Sequence, residues 1–527
     1  MIFASVLKSG LISLLGISAV LLPIKVSAAE RISFYFEPFG QFNLEVEDLE
    51  AFAATGKTSP ELAYYLDRLP PSQVARLPEL LSTPLEFHPL TVAKFSNSSI
   101  GEAVIKNFAK GIRADIDRNG FYALRGAIIA AAFDREGLTL INLLQQFPLE
   151  TIYLDLQVLQ QYLQRGEVVL KNRQAVKQTW FSEARNSAQP KSLAPPQISI
   201  LGQHLWSKKT LKYHNPHRDQ PGYFDLYQPK IDTPVPLVVV SHGIASSRQT
   251  FTYLAEHLAS YGFAVAVIEH EDISLKKFAQ FLAGEEKFPE PNNLIDQPLD
   301  VKYVLDSLES ESQINLQQVG IIGQSFGGYT SLALAGAKLI RDRQDTSCKS
   351  ENYQDVLLDL SSLAKCSFNE LNRSILQLRD PRIKAAIAVN PMGKIFGQAG
   401  ISSIETPTMI VSGTNDVIMP PVAEQIRPFS WLNGNIDKYL VLVKPGTHFS
   451  FLQEGLGVLP VPDRVVGPSP TSAHPSLKAL STAFFQVHLA QQPEYQTYLQ
   501  DNQINNNAFE LSIIRTLTEA ELNEIVD

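Results

Sequence analysis

Ser325 stands between glycines in Gly323-Gln324-Ser325-Phe326-Gly327-Gly328, directly after an apolar run at 319–322 and before an apolar helical stretch at 329–339. In a strand–turn–helix, glycines two residues either side of a serine leave the sharp turn unobstructed and hold the hydroxyl at its apex. A serine hydroxyl is a weak nucleophile at neutral pH. It needs a base, and the base needs an acid to orient it. Two later loops carry such groups. Gly413-Thr414-Asn415-Asp416 follows the apolar run 408–411, and Pro445-Gly446-Thr447-His448 follows the run 439–443. The order Ser325, Asp416, His448, each just past a strand, suits acyl transfer in which His448 takes the serine proton and Asp416 orients it.

An attacked carbonyl also needs donors for its developing negative oxygen. One candidate is the backbone N–H of Phe326. The other is that of Ile244, in the loop Ser241-His242-Gly243-Ile244-Ala245-Ser246-Ser247 after the run 235–240. One such donor is worth about 2.7–4 kcal/mol. His242 reads as a brace for that loop. His474 marks the start of the last long helix, and His488 lies inside it. Asn390 follows the run 383–389, but an amide orients a histidine without stabilising its charged form, which leaves Asp416 as the acid. Phe326, Met392, Met419 and Trp431, near the expected sheet edge, suggest an apolar acyl pocket. Two segments are candidate lids. One is 273–298, whose Phe278, Phe281 and Leu282 fit equally well a core-facing amphipathic helix; the other is the insertion 341–378.

The elements that must position these groups are six Val/Ile/Leu runs at 235–240, 263–268, 319–322, 383–389, 408–411 and 439–443. Continuous apolar runs indicate strands covered on both faces, hence a mainly parallel sheet between helices. Ligands of such sheets bind at the carboxyl ends of the strands. Ahead of the sheet, 31–182 has helical spacing, with Ser59-Pro60-Glu61 as a helix start and the apolar stretch 121–133 as a buried helix. The pattern predicts a smaller all-α domain at 31–182, a linker at 183–197, an α/β domain at 198–495 and a tail with a short helix at 496–527.

At the N-terminus, Lys8, the apolar run 11–24 and Val26-Ser27-Ala28-Ala29 read as a secretory signal occupying 1–28. In an oxidising compartment Cys348 and Cys366 can close a loop worth about 3 kcal/mol. The sequence Asp115-Ile116-Asp117-Arg118-Asn119-Gly120 copies the start of a calcium loop, but Gly126 stands where the bidentate glutamate belongs, so it reads as a turn. The chemistry set out above needs no metal or cofactor. Over 527 residues the net charge is −9, which offers no basic footprint for nucleic acid.

Together the motifs around Ser241–Ile244, Ile268-Glu269-His270-Glu271-Asp272, Gly323–Gly328, Asp380-Pro381-Arg382-Ile383, Gly413–Asp416 and Gly446–Phe449 resemble the α/β-hydrolase superfamily over about 200–495. Within it they are most similar to dienelactone-hydrolase-like and platelet-activating-factor-acetylhydrolase-like esterases. The resemblance implies an α/β-hydrolase fold and a serine hydrolase of carboxylic esters, lipid or short-chain; the signal at 1–28 places it in the periplasm or the medium, where transient contact with a membrane surface is expected. Residues 31–182 resemble a domain of unknown function placed before exported hydrolases. Gln324 stands where these families usually carry histidine. Asn390 occupies the place where the acetylhydrolases put their acid, and the Asp416 arrangement is instead similar to bacterial polyester and lipid esterases. A different reading is a binding or scaffolding protein that keeps the hydrolase shell, with the helical domain as its working part.

Overall fold

The computed structural model describes residues 28–36, 40–85, 87–181, 197–218, 220–282, 292–341, 360–370, 375–453, 463–500 and 508–526. The signal segment, nearly all of the linker and Cys348 lie outside the described residues. Among the described residues no helix is long and apolar enough to cross a membrane. The chain forms two compact units, one from the residues up to Leu85 with Phe108–Leu159, the other from Glu86–Asn107 with Gln160–Asp527.

The first unit is mixed rather than all-α. Strands β1 (Arg31–Phe36), β2 (Gly40–Glu45), β3 (Ile112–Asp115), β4 (Arg118–Asn119) and β5 (Thr151–Leu154) form a sheet in the order β2-β1-β5-β3-β4. The helical reading missed them because each is short and only a few apolar residues mark its inner face. Ile32 of β1 lies opposite Ile152 of β5, and both are buried. Helix α1 (Phe121–Phe133) buries Ala123, Ala127 and Ala131, an i, i+4, i+8 stripe. The calcium-like segment is the β3–β4 hairpin and its exit: Asn119 Oδ1 accepts from the Phe121 N–H at 2.9 Å. A Cβ on Gly120 would lie 2.2 Å from the Ile112 carbonyl oxygen.

Helix α2 (Leu156–Trp180) ends in the second unit, where Val176, Trp180 and Phe181 join the main core. The units therefore divide elsewhere than at 182. The second unit is built on β6 (Trp206–Tyr213), β7 (Gly222–Pro229), β8 (Val235–Ser241), β9 (Ala264–Ile268), β10 (Ile314–Gln324), the antiparallel pair β11 (Lys338–Ile340) and β12 (Ile375–Gln377), β13 (Ile383–Val389), β14 (Thr408–Gly413), β15 (Lys438–Lys444) and β16 (Glu510–Ile514). The large sheet runs β16-β15-β14-β13-β10-β8-β9-β7-β6. Its six central strands are parallel; β16 pairs antiparallel with β15 at one end and β7 with β9 at the other, and β6 pairs antiparallel with β7.

Strand β8 shows why the layers form. Leu237 and Val239 face a core shared with helices α5 (Asn293–Ser307) and α6 (Phe326–Ala335). Val238 and Val240 face a second core with α3 (Thr252–Ser260) and α9 (His474–His488). Each fully buried side chain of this size contributes about 1.5–3 kcal/mol, so a continuous apolar run stabilises both layers at once. Within the C-terminal tail, β16 completes the sheet, and Leu522 and Val526 of its short helix α10 (Glu519–Val526) are in the main core. Of the two lid candidates, α4 (Leu275–Leu282) turns Phe281 into the core with Phe278 against it, as a core-facing helix does. The other contributes α7 (Leu360–Glu370), on which Cys366 is buried and disulfide-bonded. This is the α/β-hydrolase architecture. Chain order reverses at β8 and β10, so the loops after those strands open a crevice at their carboxyl ends.

Candidate active site

Ser325 occupies the step from β10 into α6, with φ 56° and ψ −116°, a strained region for a residue with a side chain. The surroundings hold it there. Its N–H donates to the Val389 carbonyl at 2.9 Å, which ties the turn to β13. A Cβ on Gly323 would lie 2.1 Å from the Gly327 oxygen, and one on Gly327 would lie 2.0 Å from the Ser241 oxygen. Both obstacles are backbone, so only glycine lets the strand, the helix start and the end of β8 approach this closely.

Asp416 and His448 come from the loops after β14 and β15. His448 Nδ1 lies 2.7 Å from Asp416 Oδ2, and Asp416 Oδ1 accepts from the N–H groups of Ile418 (2.9 Å) and Met419 (2.8 Å). A carboxylate only accepts, so His448 carries its proton on Nδ1 and presents Nε2 as the acceptor. Ser325 and His448 each keep 7% of their surface exposed while Asp416 keeps 2%, so the pair retains a little access to solvent with the acid behind. Among the described residues no hydrogen bond joins Ser325 Oγ to His448 Nε2.

Two amides brace the loops. Asn390, at φ 44°, accepts from the Gly413 N–H through Oδ1 (2.8 Å) and donates from Nδ2 to the Thr447 carbonyl (3.0 Å). It clamps the Asp416 loop to the His448 loop and has no carboxylate to offer. Gln324 Nε2 donates to the His448 carbonyl at 3.1 Å, a bond from the residue next to Ser325 straight to the backbone of the base. The Asn415 N–H donates to the Gly446 carbonyl at 2.7 Å.

On the other side of Ser325, β8 lies in register with β10, Ser241 opposite Gly323. A Cβ on Gly243 would lie 2.9 Å from that of Ser325. The loop carrying Ile244 thus passes directly beside the serine. Among the described residues the amides of Ile244 and Phe326 donate to no protein group, which leaves both for an oxyanion.

The remaining candidates divide. Met392 and Met419 are buried in the cluster that contains Phe326, and Met419 also holds Asp416 through its N–H. Trp431 does not reach this rim. It ends helix α8 (Arg427–Trp431), and the neighbouring Leu432 carbonyl accepts from Lys438 Nζ at the start of β15, the opposite edge of the sheet. The helix after the Asp416 loop runs back across the sheet, so proximity in sequence misled. His474 stacks on Tyr253 at 3.6 Å and bonds the Leu452 carbonyl. His488 lies beside the Tyr439 hydroxyl, and burial lowers its pKa.

One constellation escaped sequence reasoning. Behind the β8 loop, Ser241 Oγ lies 2.8 Å from His270 Nε2, and His270 Nδ1 lies 3.2 Å from Asp300 Oδ2. Arg218 pairs with both oxygens of Asp300 (2.7 and 2.6 Å) and with Asp272. Burial drives the His270 pKa down; for Asp300 burial pushes upward, but His270 and Arg218 hold the carboxyl below its usual range. The only sequence signal was His270 within Ile268–Asp272, because Arg218 and Asp300 are 82 positions apart. The outer end of the network meets a cavity of about 520 Å³ lined by Tyr213, Arg218, Tyr223, Asp272 and Asp296 among others. Burial, with Asp272 and Asp300 nearby, pushes the Asp296 carboxyl up to about 6. Among the described residues no three His, Cys, Asp or Glu side chains are grouped to hold a metal ion.

Comparison with known proteins adds three findings. A family described as an α/β hydrolase of unknown function matches residues 28–155, the segment that holds the five-stranded sheet. The family of platelet-activating factor acetylhydrolase, isoform II, matches 224–287, from β7 through the β8 loop and β9 to past α4, and ends before Ser325. The platelet-activating factor acetylhydrolase of Bos taurus is 27% identical over 141 residues, 18% of this chain and 30% of its own. The chain thus spans about a third of the length of that curated relative.

Proposed function

We propose that this chain, an α/β-hydrolase resembling the platelet-activating-factor acetylhydrolases, is an exported serine hydrolase of carboxylic esters. Ser325 Oγ attacks the ester carbonyl while His448 Nε2 takes its proton. The carbonyl oxygen becomes an oxyanion held by the amides of Ile244 and Phe326. Collapse of the tetrahedral species breaks the ester C–O bond, and His448 returns the proton to the leaving alcohol. Water then attacks the acyl-serine by the same route and frees the carboxylic acid and Ser325. Asp416 keeps the proton on Nδ1 throughout and stabilises the imidazolium. The bond between Ser325 and His448 forms as substrate enters.

The observation that carries this reading is the 2.7 Å bond between Asp416 and His448, at the rim where the strained Ser325 elbow stands. The relative's name, an acetylhydrolase, supports a short acyl group, and buried Phe326, Met392 and Met419 supply an apolar wall. The apolar leader at 1–28 supports export. A fluorophosphonate probe tests the enzyme: the wild type takes label and Ser325→Ala does not, whereas a folded wild type without label leaves a binding protein in a hydrolase shell. Aryl esters from acetyl to dodecanoyl then locate the acyl preference, expected at the short end.

A further inference from the structure

Ser241, His270 and Asp300 repeat the bonding pattern of a serine–histidine–aspartate triad, yet none of the three is solvent-accessible. Asp300 accepts from His270 Nδ1–H, so Nε2 accepts from the Ser241 hydroxyl, the same proton order as in Asp416 and His448. No ester reaches a hydroxyl at this depth. What the chain touches instead is the oxyanion loop, at two consecutive residues. The His270 side chain holds Ser241, and its backbone N–H donates to His242 Nε2 at 3.0 Å. His242 in turn donates from Nδ1 to the Gly243 carbonyl at 2.9 Å. Ile244 follows, and the Ala245 N–H is caught by the Ile273 carbonyl at 2.8 Å. Every residue flanking the Ile244 amide is therefore fixed by the segment that starts at His270, and the rotation of that peptide decides where its N–H points.

We propose that Ser241, His270, Asp300 and Arg218 form a positioning relay that aims the Ile244 amide at the oxyanion. Arg218 locks the Asp300 carboxylate with two hydrogen bonds, Asp300 fixes the His270 tautomer, and only that tautomer accepts from Ser241. The relay acts through the loop and touches no reacting atom. A donor misaimed by a few tenths of an ångström still permits ground-state binding but holds the oxyanion less well, so the loss falls on kcat rather than KM.

The inference rests on the ester-hydrolase reading, and its test separates the two. Ser241→Ala removes a single hydroxyl and leaves the acceptor on His270 unmet. The readouts are kcat and KM on a soluble aryl ester, the inhibition constant of an aryl trifluoromethyl ketone, which binds Ser325 as a tetrahedral oxyanion, and Tm. The relay predicts about a tenfold fall in kcat, a matching tenfold weakening of the ketone, and KM within twofold. Tenfold corresponds to about 1.4 kcal/mol of oxyanion stabilisation. Arg218→Lys, at the solvent end and with its charge kept, loses the fork on Asp300 and predicts a smaller parallel loss of about threefold in both quantities. This second variant decides the matter if Ser241→Ala does not fold. Unchanged kcat and ketone affinity, a loss confined to KM, or a loss in kcat without one in ketone affinity overturns the relay. A wild type that neither turns over ester nor takes the fluorophosphonate overturns the ester-hydrolase reading beneath it.

Discussion

Replacing Asp416 with asparagine changes one oxygen into an NH2 group, and the structure fixes which one. Asp416 Oδ1 accepts two backbone N–H groups, from Ile418 and Met419. Both still need an acceptor in the variant, so the amide oxygen stays there and the NH2 group turns toward His448 Nδ1. Two donors cannot share that 2.7 Å contact. The imidazole responds by moving its proton to Nε2, and the atom meant to deprotonate Ser325 can no longer accept. Loss of the correct tautomer in a serine triad costs about 10⁴ in kcat, or about 5 kcal/mol of transition-state stabilisation. Asn390 cannot substitute, because its oxygen serves the Gly413 N–H and its NH2 the Thr447 carbonyl. The assay is steady-state hydrolysis of an aryl acetate, with KM expected within threefold and Tm within a few degrees of wild type. Activity within tenfold of wild type would refute the reasoning, and so would an Asn390→Ala variant that suffers the 10⁴ loss in its place.

Other consequences follow from the same contacts. Gln324→Ala removes the bond to the His448 carbonyl and should lower kcat about tenfold at unchanged KM, a loss of about 1.4 kcal/mol measurable by the same assay. Gly327→Ala would press a Cβ to 2.0 Å from the Ser241 backbone oxygen, which cannot move aside as a side chain could, and should cost more than about 3 kcal/mol or prevent folding. Gly126→Ala, inside α1 with nothing within 4 Å, should gain about 0.5–1 kcal/mol, and chemical denaturation of both variants checks the contrast. His257 is buried on α3, and burial, with Lys478 nearby, lowers its pKa from 6.5 to about 3. Between those values the unfolded chain takes up a proton that the folded chain refuses. Stability should therefore fall by up to about 1.4 kcal/mol per unit as pH drops below 6.5, and His257→Gln should flatten the curve by that slope in denaturation at pH 7, 6 and 5.

How much of this was legible in the sequence follows from which contacts are local. Strands buried on both faces announce themselves as unbroken apolar runs, so β8, β10, β13, β14 and β15 and the loops after them could be located from spacing. Ser325, Asp416 and His448 fall at those strand ends. The short strands β1 and β5 and the closing strand β16 carry only a few apolar residues each, too few to compete with helical spacing nearby. Trp431 was misplaced because a helix about two turns long separates it from the rim to which Asp416 belongs. The roles of Asn390 and Gln324 needed the register of neighbouring strands, and the chain from Arg218 through Asp300 and His270 to Ser241 is assembled only by tertiary folding. Residues of this last kind have no period and no motif.

The central claim is a covalent acyl group on Ser325. Rapid mixing of the enzyme with excess p-nitrophenyl acetate, acid quenching within the first turnover and peptide mapping by mass spectrometry tests it most directly. The account predicts an initial release of nitrophenol with one acetyl group per chain, carried on the peptide that holds Ser325 and absent in Ser325→Ala. Turnover of the ester with the acetyl on another residue, or with unchanged rate in Ser325→Ala, would contradict it.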